Sequence, residues 1–167
     1  MSVPSFRVVQ VDRSSDQILK NLMEHYLHDM AEWFEFDSRE DGSYSYDTNQ
    51  FWNDGVAVFL AYSDTVPIAF AIVGSGEKWI GDKTAHDLTE FFVIRRYRRK
   101  AVGRILAEHV WGKYPGKWVV RVFQRNLPAL PFWRAAVSVY TGGAFDEDIR
   151  EMEGHRWSYF TFQKNAH

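Results

Sequence analysis

Two periods alternate along this chain, one helical and one extended. Phe6–Val11 is a short apolar run that predicts a strand. Ser14 is followed three residues later by Gln17, the pattern of a capping box. Beyond it Ile18, Leu19, Met23, Tyr26, Leu27 and Met30 recur at helical spacing, and that stripe fades near Trp33 and Phe34. Val56–Tyr62 and Pro67–Val73 read as strands joined by a turn at Ser63–Val66, with Pro67 at the first strand position, where a missing N–H costs least. Leu88–Ile94 is a further strand. Val102, Ile105, Leu106, His109 and Val110 then return to the helical period, ending near Gly112. Trp118–Phe123 is apolar on both faces except at Arg121, as in a strand inside a sheet. Phe132, Trp133, Ala136, Val137, Val139 and Tyr140 predict a last helix. Its start should be ragged at Pro128 and Pro131, and Thr141-Gly142-Gly143 should stop it. Phe145–Glu151 and Arg156–Gln163 complete the pattern as two strands about a turn at Glu153-Gly154-His155.

The polar stretches divide these elements. Glu35–Gln50 is an acidic loop with Gly42 and several Ser, Asp and Asn residues, and a helical turn is expected near Asn49–Trp52. The plainer reading is a solvated charged loop; as a rim it would offer charge at Glu35, Asp37, Glu40 and Asp41 and aromatic faces at Tyr44 and Tyr46, which suits a cationic amine. Gly74–Asp87 reads as a connection, with His86 and Asp87 just ahead of the next strand. Strands and helices in this order predict an α/β fold with a mixed central sheet of six to seven strands flanked by helices. A length of 167 residues, without repeats or linkers, is expected to form a single domain over residues 1–167.

Composition narrows the function classes. Aromatic residues make up 17% of the chain, which fits an aromatic-rich core. A formal net charge of -2 supplies no overall field for nucleic acid. The absence of Cys excludes disulfides, thiolate metal sites and a cysteine nucleophile. His25, His28 and Glu32 share a helix face, but such a set reads as the solvated side of an amphipathic helix, so no metal is expected. The N-terminal stretch has no apolar signal core and no run is long enough to span a bilayer, so the expected location is the cytoplasm, with no membrane partner.

Positive charge is concentrated between Arg95 and Arg104, in the stretch FFVIRRYRRKAVGRILAEHVWGKY at Phe91–Tyr114. A strand feeding a basic, small-residue turn that opens a helix is a device for holding phosphate. The first helical N–H groups have no intrahelical partner, and the helix dipole adds partial positive charge there. Ala101 and Gly103 allow close backbone approach, while Arg98, Arg99, Lys100 and Arg104 add full charges.

RRKAVG at Arg98–Gly103 resembles the acyl-CoA-binding motif of the GCN5-related N-acetyltransferases, Q/R-x-x-G-x-G/A, in its strand–turn–helix context. Ala101 stands where the first glycine is usual, which permits the turn but narrows the backbone. The element order resembles the acetyltransferase fold across essentially the whole chain, most closely after its first half. The resemblance implies a single-domain acyl-CoA N-acyltransferase fold, with acetyl-CoA as cosubstrate and an amine acceptor. It places the diphosphate at Arg98, Arg99, Lys100, Ala101, Val102, Gly103 and Arg104. It sets backbone groups at Val93 and Ile94 against the pantetheine arm, where they also supply the oxyanion donor, and adds Asn126 to the same arm.

Acetyl transfer needs a base, because an ammonium is no nucleophile. Glu90, on the strand before the phosphate turn, is the first candidate, and His86 the second; a surface-facing Glu is the bland alternative for Glu90. The family often places a tyrosine acid shortly after the Asn-containing turn, and the matching position here is Trp133, grouped with the cofactor site. An indole cannot act as that acid. Tyr140, two helical turns on, could supply a hydroxyl, with a core or helix-end tyrosine as the plainer reading. Solvent protonation would also serve a thiol of pKa about 8.5. The departure at Trp133 leaves open an inactive acyl-CoA-binding or regulatory module, and the basic run leaves open a nucleic-acid-binding domain, which the net charge disfavours. Aromatics near the C-terminus would suit a homodimer.

Overall fold

The computed structural model describes residues 2–164. Strand β1 (Arg7–Val11) passes through a 3-10 turn (Arg13–Ser15) into helix α1 (Asp16–Phe34). The expected capping box at Ser14 and Gln17 does not form. The Asp12 carboxylate caps the 3-10 turn instead, its Oδ1 accepting both the Ser14 N–H at 2.9 Å and the Ser14 hydroxyl, which turns that hydroxyl away from Gln17. Gln17 turns along the helix and donates to Asn21 at 3.0 Å. The buried stripe of α1 is Leu19, Leu22 and Met23, so the spacing found Leu19 and Met23 and passed over Leu22. Glu35 ends the helix in the left-handed conformation (φ 57), its N–H donating to Ala31 at 2.9 Å.

A 3-10 turn at Asn49–Trp52 follows the long loop, as the sequence predicts. Next come β2 (Ala57–Ser63), β3 (Val66–Ser75), a one-turn helix α2 (Glu77–Ile80), β4 (His86–Val93), α3 (Val102–Lys113), β5 (Gly116–Phe123), α4 (Ala129–Thr141), β6 (Phe145–Met152) and β7 (His155–Lys164). His86 and Asp87 therefore lie inside β4, and His155 inside β7 rather than in the turn before it. The seven strands form one mixed sheet in the order β1-β2-β3-β4-β5-β7-β6. β4 and β5 pair in parallel, with His86 opposite Trp118. β1–β2, β5–β7 and β6–β7 pair antiparallel. The last strand thus enters between β5 and β6 and leaves β6 at the edge, where Asp146, Glu147 and Asp148 are exposed. Charge on an edge strand discourages pairing with another chain.

By packing the chain resolves into two units. Described residues through Ile72 with Glu90–Gly103 form the first; Val73–Thr89 with the chain from Arg104 onward form the second. In the first unit Leu19, Leu22 and Met23 pack with Phe51, Val58, Leu60, Phe70, Ile72 and Phe92. Asp16 fastens the start of α1 to the loop: it pairs with Lys20 at 2.6 Å and accepts from Trp52 Nε1 at 2.7 Å and from the Thr48 hydroxyl. Lys20 foremost, then Thr48, hold its carboxyl down at about 2. Further along, the two Glu24 oxygens accept the N–H groups of Tyr44 and Ser45, each at 2.8 Å.

The second unit is built on aromatic packing. Trp111 is fully buried, its ring 5.1 Å from Phe162 and 4.9 Å from Tyr140. Asp87, 1% exposed, is bridged by both Nε (3.2 Å) and a terminal nitrogen (2.8 Å) of Arg121. Arg121 in turn lies 3.7 Å from the ring centre of Trp79, and Thr89 donates its hydroxyl to Asp87 at 3.2 Å. Among the described residues no helix is long and apolar enough to cross a membrane.

Candidate active site

In the first unit Glu90 sits near the C-terminal end of β4, half-buried. The Tyr26 hydroxyl of α1 donates to its Oε2. Tyr26 is itself gripped edge-on by Phe70 (5.6 Å) and Phe92 (6.1 Å). Tyr46, from the acidic loop, stacks on Phe51 at 5.8 Å and accepts from Gln50 at 3.2 Å. Burial first, and the Glu90 charge second, push its phenol pKa up. The sequence singled out Glu90 but not Tyr26. The two are 64 positions apart, and Tyr26 reads locally as one more apolar-stripe residue.

The basic turn takes shape through α1. Asp29 binds both Arg95 and Arg98. Burial would raise this carboxyl, but the hydrogen bonds from Arg98 and Arg95 outweigh it and hold it below the usual range. Arg98 also donates Nε to the Val93 carbonyl at 2.7 Å and lies 5.4 Å from the ring centre of Phe92. The Arg98 guanidinium, expected beside a phosphate, therefore shapes the turn from within. Arg104 is likewise paired, with Glu108 one turn along α3 at 2.8 Å. Arg99 and Lys100 carry charge that no carboxylate among the described residues takes up.

Arg99 and Ala101 are both left-handed, at φ 58 and φ 62. Ala101 thus adopts the conformation that the usual glycine takes freely, at a cost of roughly 1–2 kcal/mol. Val102 and Gly103 open α3. Alternating left-handed residues before a helix start aim successive N–H groups to one side, a nest for an anion.

The backbone at the end of β4 corrects one expectation. The Ile94 N–H, expected as an oxyanion donor, is committed to the Ile68 carbonyl at 2.9 Å, and the Ile94 carbonyl accepts from Tyr97 at 2.8 Å. Ile94 continues the sheet pairing and closes the 3-10 turn Arg95–Tyr97, so both its polar groups are used. Successive N–H groups of a strand point to opposite edges, so that of Val93 lies on the other edge of β4.

In the second unit Asn126 closes a turn: its N–H donates to Phe123 at 2.9 Å and its carbonyl accepts from Ala129 at 3.1 Å. Pro128, not Asn126, is the N-cap of α4, and the Asn126 carboxamide has no hydrogen bond among the described residues. Trp133 is only 7% exposed and packs on Phe132 (4.9 Å) and Trp111 (6.2 Å), as a core ring does. Tyr140 lies near the other end of α4, its ring 6.1 Å from Phe162. Burial, then Glu108, raise its pKa. His86 packs on Trp118 (5.0 Å) and Tyr114 (5.5 Å), with Nε2 3.3 Å from the Pro115 carbonyl.

The chain matches a family model described as the acetyltransferase (GNAT) family over residues 24–136. No curated protein matches it by sequence. Among solved structures it is similar to the ribosomal-protein-S18-alanine N-acetyltransferase from Escherichia coli, at 17% identity and TM-score 0.64, over 98% of this chain and 96% of that one. It is similar to spermidine N-acetyltransferase from Vibrio cholerae in complex with CoA and spermine, at 13% identity and TM-score 0.64, over 95% of each chain. A Salmonella typhimurium structure with its cofactor acetyl-CoA aligns at 13% identity and TM-score 0.66, over 98% of this chain and 96% of that one. At these identities the likeness is one of fold.

Proposed function

The chain belongs to the GNAT acetyltransferase family, and on that premise we propose that it moves the acetyl group of acetyl-CoA to a primary amine of a small molecule or peptide. The observation that carries this reading is a hydrogen-bonded carboxylate on β4, directly ahead of a left-handed, basic turn that opens α3. The residues present suit the cosubstrate. The N–H groups from Arg99 to Gly103 would hold its diphosphate, and Arg99 and Lys100 would neutralise it.

Acetyl-CoA supplies an acyl group activated by a thiolate leaving group. Glu90 takes the proton of the acceptor nitrogen, directly or through one water, so that its lone pair attacks the thioester carbonyl. The C–N bond forms and the C–S bond breaks. The Val93 N–H is assigned to the developing oxyanion, since that of Ile94 is committed. Tyr140, in its aromatic packing, is assigned no proton transfer; the thiolate is protonated from solvent, and Tyr140→Phe should leave the rate unchanged.

Titration calorimetry with acetyl-CoA, paired with thiol release across a panel of primary amines, tests the reading. Saturable binding that Gly103→Asp abolishes, with thiol release from at least one amine, is the expected result. No binding refutes it. Binding without release from any amine instead supports an inactive acyl-CoA-binding module, which Trp133 at the family's tyrosine position favours.

A further inference from the structure

We propose that Tyr26 is a positioning residue for Glu90: its hydroxyl, donated to Oε2 from a ring that cannot swing, fixes the direction in which the other carboxylate oxygen presents its lone pairs. This rests on Glu90 being the base and adds a residue of α1 to the reaction.

Three observations support it. The hydrogen bond joins two elements that no local pattern connects, α1 and β4. The Tyr26 ring is held edge-on by Phe70 on one strand and Phe92 on another, so the hydroxyl has a fixed origin. A glutamate has three rotatable bonds, and an anchored oxygen removes most of the orientations that would point its partner away from a bound nitrogen. The donor is also a neutral phenol. A guanidinium in its place would add a full positive charge beside the group that must accept a proton.

Tyr46, from the loop, also faces Glu90. Its phenol pKa is raised, by burial first and by Glu90 second, so it stays protonated across the acid range and does not enter the acid limb of a rate profile.

Tyr26→Phe keeps the ring and removes only the donor. Because hydrogen bonds to charged groups are worth more than neutral ones, kcat should fall roughly 10-fold or more, with KM for acetyl-CoA unchanged. The acid limb of kcat/KM should move up by about half a pH unit or more, since the donor favours the charged carboxylate. A residue that served packing alone would shift the unfolding midpoint and leave that limb in place.

Glu90→Gln separates the two layers of the argument. If Glu90→Gln is inactive and Tyr26→Phe has the wild-type kcat and pH profile, the positioning role is overturned while the base reading stands. If Glu90→Gln retains full activity, the base reading itself fails. In the double variant, removing the Tyr26 hydroxyl should cost nothing beyond Glu90→Gln; a full additional loss overturns the proposal. Incorporation of 3-fluorotyrosine at position 26 gives a second test with almost no steric change: a more acidic donor should move the limb to lower pH, and an unmoved limb overturns the proposal.

Discussion

Two carboxylates stand three positions apart on β4 and are held in opposite ways. Asp87, in the second unit, is buried, bridged by two nitrogens of Arg121, and backed by the Trp79 ring behind that guanidinium. Glu90, in the first unit, is half-buried and meets a neutral phenol. The first arrangement is a clamp, with the carboxylate lone pairs occupied by a permanent cation. The second meets its carboxylate with a donor that carries no charge. Residue type and strand position are nearly the same, and what differs is the charge of the donor that meets each one.

The largest expected effect breaks the clamp. Arg121→Ala leaves the Asp87 charge buried and unpaired, which should cost about 3–5 kcal/mol in urea unfolding. The folded fraction should keep its kcat; a kcat lost in proportion to stability would mean that the two carboxylates are not separate in function. Next, Glu90→Gln should lower kcat about 100-fold or more in thiol release, with acetyl-CoA affinity kept. Equal losses from Asp87→Asn and Glu90→Gln, corrected for folding, would dissolve the distinction. A smaller effect lies in the turn after Glu90. Ala101→Gly relieves a left-handed alanine and should raise stability by about 1 kcal/mol in thermal unfolding, the steric relief exceeding the added chain entropy.

The smallest effect is in the response to acid. Asp16 titrates near 2 in the folded chain against 3.8 for a free side chain. A carboxyl depressed by folding contributes stability above its unfolded value and loses it as pH falls through the folded one. The unfolding midpoint should therefore decline between about pH 4 and about pH 2, and Asp16→Asn should flatten that part of the curve.

Much of the fold was legible because it is written in local periods. The stripe of α1, the two-faced apolar run of β5 and the glycines closing α4 each follow from spacing. The insertion of β7 between β5 and β6 was not legible, since pairing order is decided by distant partners that a period of two does not name. The capping box at Ser14 was lost because Asp12 takes both the N–H and the hydroxyl of Ser14, a contact that the Ser-x-x-Gln pattern does not score. The site divides in the same way. Glu90 and the basic turn stand out by type and position, and Ala101 does adopt the glycine conformation. Asp29, Tyr26 and the commitment of the Ile94 N–H all depend on elements folded back from elsewhere. Trp133 enters by its place in the family's motif and Tyr140 by helical spacing from it; their packing on Trp111 is a long-range contact that neither signal contains.

Glu24 makes the long acidic loop something other than a tether. By receiving the Tyr44 and Ser45 N–H groups it gives two amides outside any strand or helix the protection usually found within one, so deuterium should enter them slowly, and Glu24→Ala should speed that entry. Tyr46, next along and stacked on Phe51, is thus ordered by folding itself, and the entropy of fixing it was surrendered before any ligand arrives.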